Sequence, residues 1–250
     1  MFLESFLILG VLGIILVFFY RQAIKEFRIL QTEDLEKAQG LLHERSPIVV
    51  LPSPTPQQLW TRQDVQQRPT LGSQAFNGMA LNDLLKQESV PLKADTGQLL
   101  ADRIGLPVWV KQVLLPYFKQ SQWWTSILWT KTEATIGAQG LRQTYAYSTL
   151  LMATEGALAV SLLNEGSDAY LPAQWHGKRV SKLTRDDAPL LGQIQYIDVI
   201  LRPGSALLIP THWKVCWENY EEPKPALAVW VEIHHPLSHF VASAAKRRLR

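Results

Sequence analysis

Residues 199–213 read Val199-Ile200-Leu201-Arg202-Pro203-Gly204-Ser205-Ala206-Leu207-Leu208-Ile209-Pro210-Thr211-His212-Trp213. Two apolar runs, Tyr196–Leu201 and Ser205–Ile209, flank the tetrapeptide Arg202-Pro203-Gly204-Ser205. Proline followed by glycine at the two central positions is the pattern of a type II turn, because proline presets φ and glycine accepts a positive φ. The stretch predicts two strands folded back on one another. Outward from it, Ala226–Ile233 (ALAVWVEI) reads as a closing strand. Tyr145–Ala153 and Ala157–Leu163 are two more, parted by the short glycine-containing turn Thr154-Glu155-Gly156. Trp123, Trp124, Ile127, Leu128 and Trp129 favour a further strand, and residues 164–192, with Pro172 and Pro189, are polar and irregular.

The half before residue 122 carries helix signals instead. Ile48–Leu51 is a short apolar run between prolines and reads as a first strand. Thr55-Pro56-Gln57-Gln58 offers a threonine cap, proline at the first helical position and glutamine three residues after the cap, so a helix is expected to Gln67. Weaker signals fall on Leu81–Gln87 and Gly97–Arg103, and a firmer one on Val108–Lys119. Helices first and strands later, with short connections among the strands, predict a mainly β fold with an N-terminal helical layer: an antiparallel sandwich or barrel.

Composition narrows the class. The chain has 250 residues, 47% of them hydrophobic, with nine tryptophans, and so has ample material for a packed core; wholesale disorder is excluded. A net charge of +3 is too small to imply nucleic acid as the main partner. One cysteine, Cys216, excludes an intramolecular disulfide framework and a Cys-rich metal centre within one chain. Ser5–Tyr20 carries no charge and is followed by Arg21, Lys25 and Arg28. That pattern predicts an uncleaved single-pass transmembrane helix in contact with the lipid bilayer, N-terminus outside or luminal and the C-terminal bulk cytosolic. The expected organisation is an anchor over 1–20, a helical stalk over 21–45, one domain over 46–240 and a basic tail over 241–250. The tail is either solvated or in contact with anionic lipid.

Residues 199–213 resemble the second signature of the JmjC-like cupins: apolar strand, Pro-Gly-Asp, apolar strand, Ile-Pro, two residues, Trp. Ile127–Gly140, Gly156, Arg68-Pro69 and Ala226–Ile233 resemble further landmarks of that family. The resemblance implies a double-stranded β-helix, the fold of Fe(II)- and 2-oxoglutarate-dependent asparaginyl and lysyl hydroxylases. It also implies a facial metal triad, His-x-Asp/Glu plus a distant His. Counted along the family pattern, the first two positions fall on Gln143 and Tyr145, the distal one on Val215, and the cosubstrate lysine on Leu158. None of these is the expected ligand, and no His-x-Asp or His-x-Glu occurs anywhere in the chain. Ser205 stands where the family turn has Asp. His212 and Trp213 are expected at the pocket rim.

The remaining features read as structural. His234, His235 and His239 lie close together, but Pro236 intervenes and a fourth zinc ligand is not evident. Cys216 lies in an apolar stretch without a matching base and reads as a small buried hydrophobe. The tryptophans either fill the core or line a pocket, with core favoured. The reading is a membrane-anchored, non-catalytic cupin-like protein without metal or cofactor, in a binding or scaffold role. Two alternatives stand beside it: an Fe(II)/2-oxoglutarate oxygenase with an atypical site drawn from Tyr145, His176 or His212, and a structural membrane protein of a larger assembly such as a virion.

Overall fold

The computed structural model describes residues 7, 8, 10–12, 27–56, 58–87, 92–118, 127–171, 180–184, 186, 190–220 and 224–236. In chain order the strands are β1 (Leu30–Thr32), β2 (Ile48–Val50), β3 (Ala75–Phe76), β4 (Met79–Ala80), β5 (Trp129–Ile136), β6 (Gln139–Gln143), β7 (Ser148–Glu155), β8 (Leu158–Leu163), β9 (Tyr196–Leu201), β10 (Ala206–Pro210), β11 (Lys214–Asn219) and β12 (Leu227–His234).

The last eight form two antiparallel sheets. The larger has the order β10-β7-β12-β5, extended at one edge by β2 and β1, and the smaller has the order β6-β11-β8-β9. Successive strands therefore alternate between the sheets, except that β8 and β9 are neighbours in one. This is the eight-stranded jelly-roll connectivity, and the barrel is a cupin-like double-stranded β-helix. Pro203-Gly204 makes the expected turn: Ser205 N–H donates to Arg202 C=O at 3.1 Å and Gly204 takes φ +90°. That φ disfavours any residue with a Cβ.

Strand alternation divides the side chains between two sides. Leu151, Ala153, Leu158, Val160, Leu162, Leu207, Ile209, Val215, Trp217 and Trp230 fill the space between the sheets. Leu150, Met152, Leu208, Val229, Val231 and Ile233 face the other way and pack under the helical layer with Leu100, Ile104, Val110, Leu114 and Phe118. The helix Ala94–Ile104 lies so close to β5 that a Cβ on Gly97 would sit 2.9 Å from the Ala134 carbonyl oxygen.

Several expectations are corrected in detail. The helix expected from Thr55 begins at Arg62, because Thr61 supplies the cap, its hydroxyl accepting from Asp64 N–H at 3.1 Å; Pro56 opens only a turn. The firm helix runs Leu106–Phe118 with a π-helical stretch over Val110–Leu114. Residues 30–45 are not a helical stalk: β1 pairs in parallel with β2, and the helix Leu35–Leu41, capped by Asp34, packs against the domain. Phe27 stacks on Trp213 with ring centroids 5.7 Å apart, so this segment closes the seam beside β10.

The expected transmembrane helix is also corrected, and with it the single-pass membrane placement and its orientation. Among the described residues no helix is long and apolar enough to cross a membrane. A span takes about 20 apolar residues; the helix Ala94–Ile104 has 11 and is amphipathic, and the longer Leu106–Phe118 still falls short of that length and carries Lys111. Of residues 5–20 only 7, 8 and 10–12 are described, in helical conformation; the rest of that segment, the lipid contact expected of it and the basic tail lie outside the described residues.

Candidate functional site

The residues that the family resemblance points to lie at one end of the barrel, where β6 ends and β11 begins. Val215 is fully buried between the sheets and pairs in register with Arg142 on β6 and Leu162 on β8. Leu141 packs on the outer side of the smaller sheet with Cys216 and Leu163, so alternation turns Arg142 inward and Gln143 outward. Gln143 and Tyr145 are joined to each other: the Tyr145 hydroxyl donates to Gln143 Oε1 at 2.7 Å. Tyr145 meets His212 edge to face, ring centroids 6.3 Å apart, and His212 holds a left-handed backbone with φ +74°. Trp213 is buried and its indole N–H donates to Arg45 C=O at 3.1 Å. Leu158 is buried at the far end of β8, opposite Asn219, four residues along the strand from the level of Val215. The structure therefore gathers Gln143, Tyr145, His212 and Trp213 at one mouth, places Val215 just inside it, and puts Leu158 at the other end.

Inside the mouth stands a polar assembly that the motif count did not single out. The Arg142 guanidinium contacts the Glu133 carboxylate twice, Nη2 to Oε1 and Nη1 to Oε2, each at 2.8 Å. It also lies 4.7 Å from the centre of the Trp230 ring, which stacks on Trp217 at 5.5 Å. A planar cation held on an indole face and forked onto a carboxylate satisfies both its charge and its shape. On β12, Glu232 accepts from Trp230 Nε1 at 3.1 Å and from His234 Nε2 at 3.0 Å. Burial pushes the Glu232 carboxyl up, but the His234 and Trp230 hydrogen bonds and the His234 and Arg142 charges outweigh it and hold the group at about 2. Trp129 covers His234 at the rim, ring centroids 5.8 Å apart. The signal for these residues was in the strands themselves: Glu133 and Glu232 are charges on the inward parity of WTKTEATI and LAVWVEIH.

These donors do not fit the Fe(II) centre implied by the resemblance. At and beside the inferred ligand positions the mouth offers a guanidinium at Arg142, a hydroxyl at Thr144 and an isopropyl group at Val215, while the carboxylates of Glu133 and Glu232 are engaged by Arg142 and by Trp230 and His234. The Thr144 hydroxyl is engaged with the carbonyls of Pro210 at 2.6 Å and Trp213 at 3.0 Å. An arginine cannot lose its proton to become a ligand. Among the described residues no three His, Cys, Asp or Glu side chains converge on a point. His176, His239, Trp123 and Trp124 lie outside the described residues, while His234 is tied to Glu232. Cys216 is buried, and burial first, then the Asp198 charge, push its thiol up to about 12, away from any nucleophilic role.

No protein-family model and no curated protein matches the sequence significantly. Solved structures do align. Hydroquinone 1,2-dioxygenase from Sphingomonas sp. TTNP3 is 18% identical, over 43% of this chain and 60% of that one, with a TM-score of 0.28. The Drosophila melanogaster CENP-C cupin domain is 12% identical, over 44% and 62%, with a TM-score of 0.25. The chain thus spans about three fifths of the length of each. SnoN, a non-heme α-ketoglutarate-dependent epimerase from nogalamycin biosynthesis, is 9% identical over 80% of this chain and 83% of that one, with a TM-score of 0.44. At these scores the likenesses add nothing to the strand connectivity described above.

Proposed function

We propose that this chain is a non-catalytic cupin-like domain that serves as a binding or scaffold module through its outer surfaces, its barrel mouth being part of the core. The observation that supports this is the Arg142–Glu133 pair lodged on Trp230 at the level of Val215. The cation fills the inward position nearest the inferred distal ligand and is neutralised there. A ferrous ion brought beside it would meet a guanidinium already forked onto its carboxylate and, among the described residues of the mouth, no anionic donor free of other bonds. A cosubstrate carboxylate at Leu158 would be buried against an alkyl chain, unpaired, at a cost of several kcal/mol.

The oxygenase alternative would use Tyr145 and His212, which are neighbours, but the Tyr145 hydroxyl is already committed to Gln143. Metal analysis tests the proposal: the purified full chain is equilibrated anaerobically with Fe(II), passed through a desalting column and assayed for iron. Substoichiometric iron, unchanged in Val215→Ala, is the expected result. One iron per chain, lost in His212→Ala, would refute it.

A further inference from the structure

Outside the barrel, the helical layer holds a groove of about 480 Å³ lined by Gln67, Arg68, Pro69, Thr70, Leu71, Gln74 and Arg103. We propose that this groove binds the oxyanion end of a small metabolite, a phosphate or carboxylate group. It lies apart from the barrel mouth and the proposal does not depend on the function assigned above.

The lining chemistry carries the argument. The volume is that of a small-molecule site. Its polar side chains are two guanidinium groups, two primary amides and one hydroxyl, and among the described residues no carboxylate lines it. Such a set can surround an anion with N–H and O–H donors but offers a cation nothing of opposite charge. The two arginines come from separate elements. Arg68 caps the junction between the helices Arg62–Gln67 and Pro69–Gly72, and Arg103 lies in the last turn of Ala94–Ile104. Arg68 is half neutralised from behind, its Nη2 lying 3.0 Å from Asp64 Oδ1, which fixes the guanidinium and leaves its other N–H groups as donors. Arg103 has no ion pair among the described residues and supplies the uncompensated charge. Pro69 and Leu71 add apolar wall, so the bound molecule has a short carbon portion beside its anionic end.

The test is a titration of the full chain with inorganic phosphate and, separately, with succinate, followed by calorimetry and by backbone NMR shifts. The expected result is saturable binding of at least one anion, with shifts centred on residues 67–74 and 103. Affinity should fall at least tenfold in Arg103→Ala, an exposed position that leaves the fold intact, and at least tenfold in Gln74→Glu, which puts a carboxylate into the lining. Lys37→Ala, an exposed cation elsewhere, should leave the affinity unchanged. Tighter binding of phosphate marks a phosphate ester as the natural class, and tighter succinate marks a dicarboxylate. No saturable binding of either anion into the tens of millimolar, or binding indifferent to Arg103→Ala, would overturn the proposal.

Discussion

The guanidinium of Arg142 grips the carboxylate of Glu133 through two 2.8 Å contacts inside a barrel whose other lining is largely apolar. Glu133 retains 7% of its side-chain exposure and Arg142 22%, so neither charge is fully hydrated and each needs the other. Removing one partner of such a pair leaves a stranded charge, whereas removing both leaves a packing problem only. Arg142→Met should destabilise the fold by about 3 kcal/mol, since it strands the more buried Glu133, and Glu133→Leu by about 2–3 kcal/mol, since the arginine it strands keeps some solvent contact. The double variant should lose clearly less than the sum. Urea unfolding of all four proteins measures this; strict additivity would mean the pair is not coupled.

Gly97→Ala is expected to destabilise although alanine is the better helix former. The gain in helix propensity is about 1 kcal/mol, but the added Cβ would sit 2.9 Å from the Ala134 carbonyl oxygen, a backbone atom in the middle of β5. Helix and sheet must then separate, which costs about 1–3 kcal/mol. A net loss of up to about 2 kcal/mol by urea unfolding is the expected outcome. A stabilised Gly97→Ala variant would show that the helix does not lie this close to the strand.

Gly204 tests the turn between β9 and β10 independently of packing. A Cβ there meets no atom within 4 Å, so only its φ of +90° opposes substitution. Gly204→Ala should cost about 1 kcal/mol, and Gly204→Asn less, since asparagine tolerates the left-handed region better. Equal effects of the two substitutions on the unfolding midpoint would argue against a turn of this type.

Glu232 links stability to acid. Its carboxyl sits at about 2 in the folded chain, below the roughly 4.3 of an unfolded glutamate. A group depressed on folding stabilises the native state above its unfolded pKa, and that contribution fades as pH falls towards its folded pKa. The unfolding free-energy gap between wild type and Glu232→Gln should therefore be full at pH 6 and shrink steadily between about pH 4.5 and 2. A gap constant across that window would mean that His234 and Trp230 do not hold the ionised form.

Much of the barrel was readable from local patterns. Pro203-Gly204 declares its turn, and Leu158–Leu163 and Leu227–His234 are apolar runs long enough to be strands. β6 and β11 were harder to see. QGLRQ has no apolar alternation, since Arg142 points inward and Leu141 outward, the reverse of the usual pattern. KVCWEN looks like part of an aromatic cluster until its pairing with β8 is known. Of the candidate site residues, Val215 lies buried just inside the mouth, in register with Arg142. The inward parity of Glu133 was readable in its own strand, but its pairing with Arg142 over Trp230 depends on β5, β6 and β12 meeting, which no single strand announces. Ile48–Val50 was legible as a strand from its apolar run between prolines, whereas Leu30–Thr32 was hidden in the expected helical stalk because a three-residue strand carries too little period to show.

The central claim, a non-catalytic barrel whose mouth holds its own ion pair beside Val215, is tested most directly by turnover. The full chain is incubated with Fe(II), ascorbate and 2-oxoglutarate, and succinate is measured against a heat-killed control. The expected result is succinate no higher than the control, in wild type and in Arg142→Met alike. Succinate above the control, abolished by Tyr145→Phe or His212→Ala, would contradict the account and restore an oxygenase at the barrel mouth.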